Sequence, residues 1–278
     1  LAARAKERGI PVFSYIPPSA WAWRKERAKS CAALADEIVA IFPHELPPYE
    51  AAGANISFVG NPLIDTVRAE MEPEEARRHF GIEENDVPIL LMPGSRREEI
   101  ERLLPPMLGA AEILQTRDPA RRFFLPVAGG VDEQRIEEHL AASPVEVTLT
   151  HDARYALMKA ARAAIAASGT VVMEAAVMGL PAVVLYRMSA LSYFVGRLLV
   201  DVPRFSLPNI LLGETFETEL LQGAVQPERI AAAMEPIIAD GEARSYVTER
   251  LARAVEMLGE PHAARRVAEK IIALGRRV

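Results

Sequence analysis

The chain has 278 residues, 50% of them hydrophobic and 25% charged, which suits a globular protein of one large domain or two modest ones with a real core. A formal net charge of −6 gives no overall electrostatic reason to expect a nucleic-acid partner, and one cysteine, Cys31, excludes both an intrachain disulfide and a multi-cysteine metal site. No stretch approaches the roughly 20 apolar residues of a spanning helix, and the first residues lack the blocks of a signal peptide.

Leu1 to Gly9 reads as the last turns of a helix already under way, with Gly9 closing it and no N-cap before it, so the natural start is expected upstream of Leu1. Ile10 to Ile16 is a short β-rich run, Pro17-Pro18 breaks it, and a helical stretch follows through Ala35, in which Cys31 reads as a small buried residue. Glu37 to Phe42 and Ile56 to Val59 are strands, the second closed by Gly60-Asn61-Pro62. A helix from Pro73 ends at Gly81, and from Ile89 strands and helices alternate. The expected helices are Glu98 to Gln115, Asp132 to Ala142, His151 to Ala160 and Val171 to Met178; the strands between are Arg122 to Val127, Val145 to Leu149, Ala163 to Ala167 and Pro181 to Tyr186. Such alternation predicts parallel βαβ units and a doubly wound α/β sheet. The tail after Pro227 reads as two or three helices broken at Gly241 and Gly259-Glu-Pro261. The expected organisation is therefore two Rossmann-like domains, the first truncated at residues 1–65, the second at 66–226, and C-terminal helices over 227–278.

Two strand-to-helix turns carry the chemistry. In Pro93-Gly94-Ser95-Arg96 a helix start offers free N–H groups, glycine admits a ligand to the backbone, and Arg96 adds a guanidinium, a set that suits a phosphate or diphosphate. The plain alternative is a tight turn with a serine cap and solvated arginines. In Ala167-Ser168-Gly169-Thr170 the same grammar recurs, and Glu174, four residues after Thr170, lies on the same side of the helix, where a carboxylate suits the two hydroxyls of a ribose. Read blandly, Glu174 is a surface residue or a capping partner.

Three further segments stand open between function and packing. Asn209, after the proline of Ser206-Leu-Pro208, reads as an amide held by a rigid turn and aimed at a sugar or phosphate, or as a plain turn residue. Tyr186 and Arg187 end a strand at the sheet's carboxyl edge, and the mixed apolar stretch from Ala190 to Val200 suits either a buried helix or contact with acyl chains. Trp21, Trp23 and Arg24 suit either a sugar or acyl contact or an apolar core. His151-Asp152 and His44-Glu45 are expected to point apart along their helices and give no catalytic dyad, and no HExxH, GxSxG or P-loop pattern occurs.

In order and spacing, Tyr15 to Arg24, Phe58 to Asp65, Leu91 to Glu99, Ala167 to Glu174 and Ser206 to Gly213 resemble the lipid A disaccharide synthase family along nearly the whole chain. Other two-domain transferases and the sugar-nucleotide 2-epimerases share only the general layout. The resemblance implies the GT-B fold with a cleft between its domains, and an inverting transfer that uses no metal and no cofactor. The substrates it implies are UDP-2,3-diacylglucosamine and 2,3-diacylglucosamine 1-phosphate, joined β-1,6 with loss of UDP in lipid A biosynthesis, in the cytoplasm and peripheral on the inner-membrane surface of Gram-negative bacteria. It assigns Gly94, Ser95 and Arg96 to the diphosphate, Ser168, Gly169, Thr170 and Glu174 to the uridine ribose, and catalytic weight to Asn209 and Arg96. The family's glycine-rich first loop, its proposed aspartate base and its apolar membrane patch would lie before Leu1. Held beside this reading are another UDP-sugar transferase, a UDP-GlcNAc 2-epimerase-like enzyme, and an inactive nucleotide-binding module. The sequence leaves open whether the terminal helices fold back on the first domain or exchange between the subunits of a homodimer.

Overall fold

A computed structural model of the chain describes residues 1–20, 26–189 and 203–276. In chain order come α1 (Ala2–Glu7), β1 (Phe13–Tyr15), α2 (Glu26–Leu34), β2 (Glu37–Ala40), α3 (Leu46–Glu50), β3 (Ile56–Phe58), α4 (Leu63–Thr66) and α5 (Pro73–His79). Then follow β4 (Val87–Met92), α6 (Arg97–Arg117), β5 (Arg121–Pro126), α7 (Glu133–Ala141), β6 (Val147–Thr150), α8 (Arg154–Ala160), β7 (Ala163–Ala167), α9 (Thr170–Val177) and β8 (Ala182–Tyr186). The described chain ends through α10 (Leu207–Leu212), β9 (Glu219–Leu221), α11 (Pro227–Ile238), α12 (Glu242–Glu256) and α13 (Ala263–Gly275). Two compact units result, one holding Leu1–Thr66 and the chain from Glu256, the other residues 67–189 and Arg204–Val255.

The first unit contains a parallel sheet in the order β1-β2-β3, with β2 buried along its whole length. Ile38 and Tyr49 pack with Ala20, Ala28 and Ala35, and the Tyr49 hydroxyl donates to the Pro18 carbonyl at 2.7 Å, so the ring's one polar atom is satisfied. Phe58 to Asp65, the segment without an assigned role in the sequence reading, is a clasp for the returning chain. Asp65 accepts the backbone N–H groups of His262 (2.7 Å) and Ala263 (3.0 Å), taking up two of the orphan donors at the start of α13. Arg266 Nε donates to Val59 O at 2.7 Å and Lys270 Nζ meets Glu37 Oε1 at 2.7 Å. Gly60, at φ 105°, is where this approach is tightest: a Cβ would lie 2.9 Å from Arg266 Nη2 and 3.0 Å from Glu260 O.

The second unit is a six-stranded, wholly parallel sheet in the order β6-β5-β4-β7-β8-β9. Covered on both faces, its central strands read as continuous apolar runs, Ile89-Leu-Leu-Met92 and Ala163-Ala-Ile-Ala-Ala167, and both are buried end to end. Leu90, Met92, Ala164, Ala166 and Val184 meet Val172 and Ala175 of α9 and Leu157 and Met158 of α8 in one core cluster.

Several expectations need correction. Ser206 to Gly213 is not a turn but a helix, α10, with Pro208 in its first turn, where a missing N–H costs nothing, and Gly213 closing it at φ 70°. His151 and Asp152 do not sit on a helix; they precede α8 and pair outward, His151 with Glu133 (3.3 Å) and Asp152 with His79 (3.0 Å). Cys31 is only half-buried. The three-residue edge strand β9 and the proline-started α3 were not foreseen. Trp21, Trp23, Arg24 and the stretch from Ala190 to Val200 lie outside the described residues.

Candidate nucleotide site

β4 and β7 are neighbours in the sheet, yet the chain leaves them in opposite directions, β4 toward β5 and β7 toward β8. That reversal opens a crevice at the carboxyl ends of the two strands, the place where open α/β sheets take their ligands. The two turns picked out in the sequence are the loops that follow these strands. They meet on one cavity of about 400 Å³, within the size range of small-molecule sites. Gly94, Ser95 and Arg96 line it from one side, Ser168, Gly169, Thr170 and Glu174 from the other.

At the first turn the donors are real and already engaged. Glu99, one turn into α6, folds back so that Oε2 accepts the N–H groups of Ser95 and Arg96, both at 3.2 Å, while Oε1 meets Arg96 Nη1 at 2.9 Å. A carboxylate thus rests on the start of α6, where N–H groups and the helix dipole favour negative charge. Gly94 makes room for it: at φ 100° a left-handed backbone is needed, and a Cβ would run into the Glu99 carboxylate. The Arg96 side chain is 83% exposed, held by Glu99 and among the residues that line the cavity.

At the second turn Gly169 precedes α9, and Ser168 Oγ donates to Phe205 O at 2.9 Å, tying the turn to the segment before α10. Glu174 sits deeper, with its side chain 12% exposed. Burial pushes its carboxyl above the usual range, and the nearby Arg154 guanidinium, 3.3 Å away, pulls it back. Arg154 lines the cavity, and sequence reasoning missed it; the only signal was its place after His151-Asp152, a pair dismissed as uninformative.

Asn209 is wholly buried and is not among the lining residues. Its amide is fully used: Nδ2 donates to Glu217 O (2.9 Å) and Glu219 Oε1 (2.8 Å), and Oδ1 accepts from the N–H groups of Phe216 (3.0 Å) and Glu217 (3.1 Å). Glu219 in turn accepts the N–H groups of Phe205 and Ser206, so Asn209 braces the segment that holds Ser168. Tyr186, whose ring is 5.7 Å from that of Phe205, and the exposed Arg187 end β8 beyond the cavity's lining. A roomier hollow of about 660 Å³ lies at the opposite, amino edge of the sheet. Its arginines are engaged internally, Arg121 with Glu235, Arg162 with Asp240, and Arg244 with the carbonyls of Arg162 and Ile237. Among the described residues no cluster of three or more His, Cys, Asp or Glu side chains is placed to hold a metal ion.

The comparisons with known proteins decide between the readings. The family model for lipid-A-disaccharide synthetase matches residues 1–272. The chain belongs to the lipid-A-disaccharide synthase family. It is 44% identical to the lipid-A-disaccharide synthase of Syntrophus aciditrophicus over 275 residues, covering 99% of this chain and 72% of that protein. It is 40% identical to that of Geobacter metallireducens, covering 97% and 70%. Members of the family are glycosyltransferases, and the alternatives of an epimerase-like enzyme or an inactive binding module are not favoured. Among solved structures, UDP-GlcNAc 2-epimerase from Neisseria meningitidis bound to UDP-GlcNAc superposes with a TM-score of 0.68 at 16% identity, over 98% of this chain and 72% of that one. MurG from Acinetobacter baumannii gives 0.57 at 16%, over 96% and 68%. At that identity the likeness shows the fold, which is GT-B, as the family's resemblance implied.

Proposed function

We propose that the cavity between the β4–α6 and β7–α9 turns holds the UDP part of UDP-2,3-diacylglucosamine, whose sugar is passed with inversion to the 6-hydroxyl of 2,3-diacylglucosamine 1-phosphate. The single observation that carries this is the meeting of two phosphate-suited helix starts and a half-buried carboxylate, Glu174, on one crevice at the sheet's switch point. Gly94, Ser95 and Arg96 take the diphosphate; Ser168, Gly169, Thr170 and Glu174 take the ribose. As the acceptor oxygen attacks the anomeric carbon and a base removes its proton, negative charge builds on the departing UDP. Helix-start N–H groups and Arg96 are set to meet that charge, which is where electrostatic stabilisation lowers a barrier most. Residues 66–226 form the donor half and 1–65 belong to the acceptor half; of the helices over 227–278, α11 and nearly all of α12 belong to the compact unit of the donor half and α13 to that of the acceptor half.

Both substrates carry acyl chains, so the reaction belongs at a membrane surface, the cytoplasmic face of the inner membrane. Among the described residues no helix is long and apolar enough to cross one, and Tyr186, Arg187, Trp21, Trp23 and Arg24 are the side chains we assign to acceptor or lipid contact. The assembly proposed is a homodimer, which sedimentation of the protein checks. Calorimetric titration with UDP, ADP and GDP tests the site itself. Selective UDP binding is the expected result; equal affinity for all three sinks the donor-site assignment.

A further inference from the structure

Arg154 reaches the cavity from the first residue of α8, across from α9. Its Nη2 lies 3.3 Å from Oε2 of Glu174 and 2.5 Å from the Tyr155 hydroxyl, and the guanidinium carbon stands 4.6 Å from the Tyr155 ring centroid. The backbone is bent to put it there. Ala153, just before it, sits in the left-handed region at φ 42°, ψ 38°, a conformation that a residue with a Cβ adopts only when its surroundings impose it. The preceding Asp152 is braced by His79 Nε2 at 3.0 Å. A strained residue flanked by a braced one and a cavity-facing arginine is the pattern of a side chain being aimed.

We propose that Arg154 is a positioning residue for the nucleotide: by clamping one oxygen of Glu174 it leaves the other to the ribose diol as a charged acceptor. This rests on the reading of Glu174 as the ribose ligand. Burial works against the charge of Glu174, and Arg154 opposes burial. Among the described residues, α8 adds Tyr155, the start of α6 adds Arg96 and Glu99, and Glu70 acts on Arg154 itself, while α5, packed on α8, brings Glu74, Glu75, Arg77, Arg78 and the His79 that holds Asp152. α10, packed on α9, has no titratable side chain, nor has β7, and β8 has only Tyr186 at its end. Without Arg154 the carboxyl is left to burial, its proton is held to higher pH, and a protonated carboxyl is the poorer acceptor for two hydroxyls.

Uridine is the probe, because it has no phosphate to titrate in the working range. The unaltered 278-residue chain is expected to bind it with nearly constant affinity from about pH 5.5 to about pH 8.5. Arg154→Met is expected to lose affinity about tenfold at the acid end and to recover to within about threefold at the alkaline end. Arg154→Lys restores charge without the fork, so a flat profile at reduced affinity is expected. A flat, reduced profile for the methionine variant would overturn the proposal, as would unchanged affinity at every pH. Should the methionine variant not fold by circular dichroism, Arg154→Gln carries the same expectation. Failure of the underlying reading looks different: Glu174→Ala would then bind uridine as well as the unaltered chain does, or the unaltered chain would not bind it at all.

Discussion

Glu99 holds Arg96 at two points, through the guanidinium Nη1 at 2.9 Å and through the backbone N–H at 3.2 Å. The N–H of Ser95 completes the set. An internal carboxylate therefore rests on the same donors that the proposed diphosphate requires, and the two compete.

Glu99→Gln keeps the size and the acceptor oxygen but removes the charge. The expected result is UDP binding tighter by about 1 kcal/mol, with uridine unaffected, since charge-assisted bonds are roughly twice as strong as neutral ones. Calorimetry on both ligands reads this directly. Weaker UDP binding would mean that Glu99 shapes the turn for its ligand and does not compete with it.

In the proposed site Arg96 meets the phosphates and Glu174 the ribose. Arg96→Ala is expected to weaken UDP and leave uridine unchanged. Glu174→Ala is expected to weaken both by about 1–3 kcal/mol, the scale of losing charge-assisted hydrogen bonds. Equal effects of Arg96→Ala on the two ligands would take that side chain off the phosphates.

Asn209 works at one remove. Replacing it by alanine strands the buried N–H groups of Phe216 and Glu217 and frees Glu219 from its amide donor. The cost expected in denaturant unfolding is about 2–4 kcal/mol, because buried groups lose partners that water cannot replace. UDP affinity should fall with the loosening of the Ser168–Phe205 bond. A variant of full stability that no longer binds UDP would show that the amide does more than brace.

Glu217 gives the fold a pH dependence of its own. It is wholly buried; its Oε2 accepts the Ser206 hydroxyl at 2.9 Å, and burial lifts its pKa from 4.5 to about 8, aided by the charge of Glu219 and opposed by Ser206 and the Ala182 N–H. The folded chain thus keeps a proton that the unfolded chain releases above 4.5, so this group's contribution to stability falls as pH rises from 4.5 to about 8 and is level beyond. Glu217→Gln, which cannot ionise, is expected to show a flatter Tm across that interval. Parallel slopes for the two proteins would mean that Glu217 is ionised in the fold.

How far the sequence could be read follows from the range of the interactions. β4 and β7 are recognisable because strands covered on both faces need unbroken apolar runs, and the Gly94 and Gly169 turns because small residues between a strand and a helix have few other uses. β9 is three residues long and exists by pairing with β8, Val184 opposite Glu219, which no local pattern announces. α10 was hidden by Pro208, since proline starts a turn and a helix alike. Arg154 was invisible for another reason: its partner Glu174 lies twenty positions on, across a strand and on a different helix, and only the fold brings them together.

The alanines of β7 have a consequence of a different kind. Ala163, Ala164, Ala166 and Ala167 are all buried at the middle of the sheet, with α9 and α11 lying directly over the strand. Such short side chains set the helices at their closest spacing, and interiors packed to crystal density do not absorb an added methyl group. The height of α9, and with it the floor on which a nucleoside would rest, is therefore gauged from beneath by Ala163, Ala164 and Ala166, which do not line the cavity. Attempts to widen the chain's choice of donor by altering the rim would leave that gauge untouched, and a single valine in β7 would reset it.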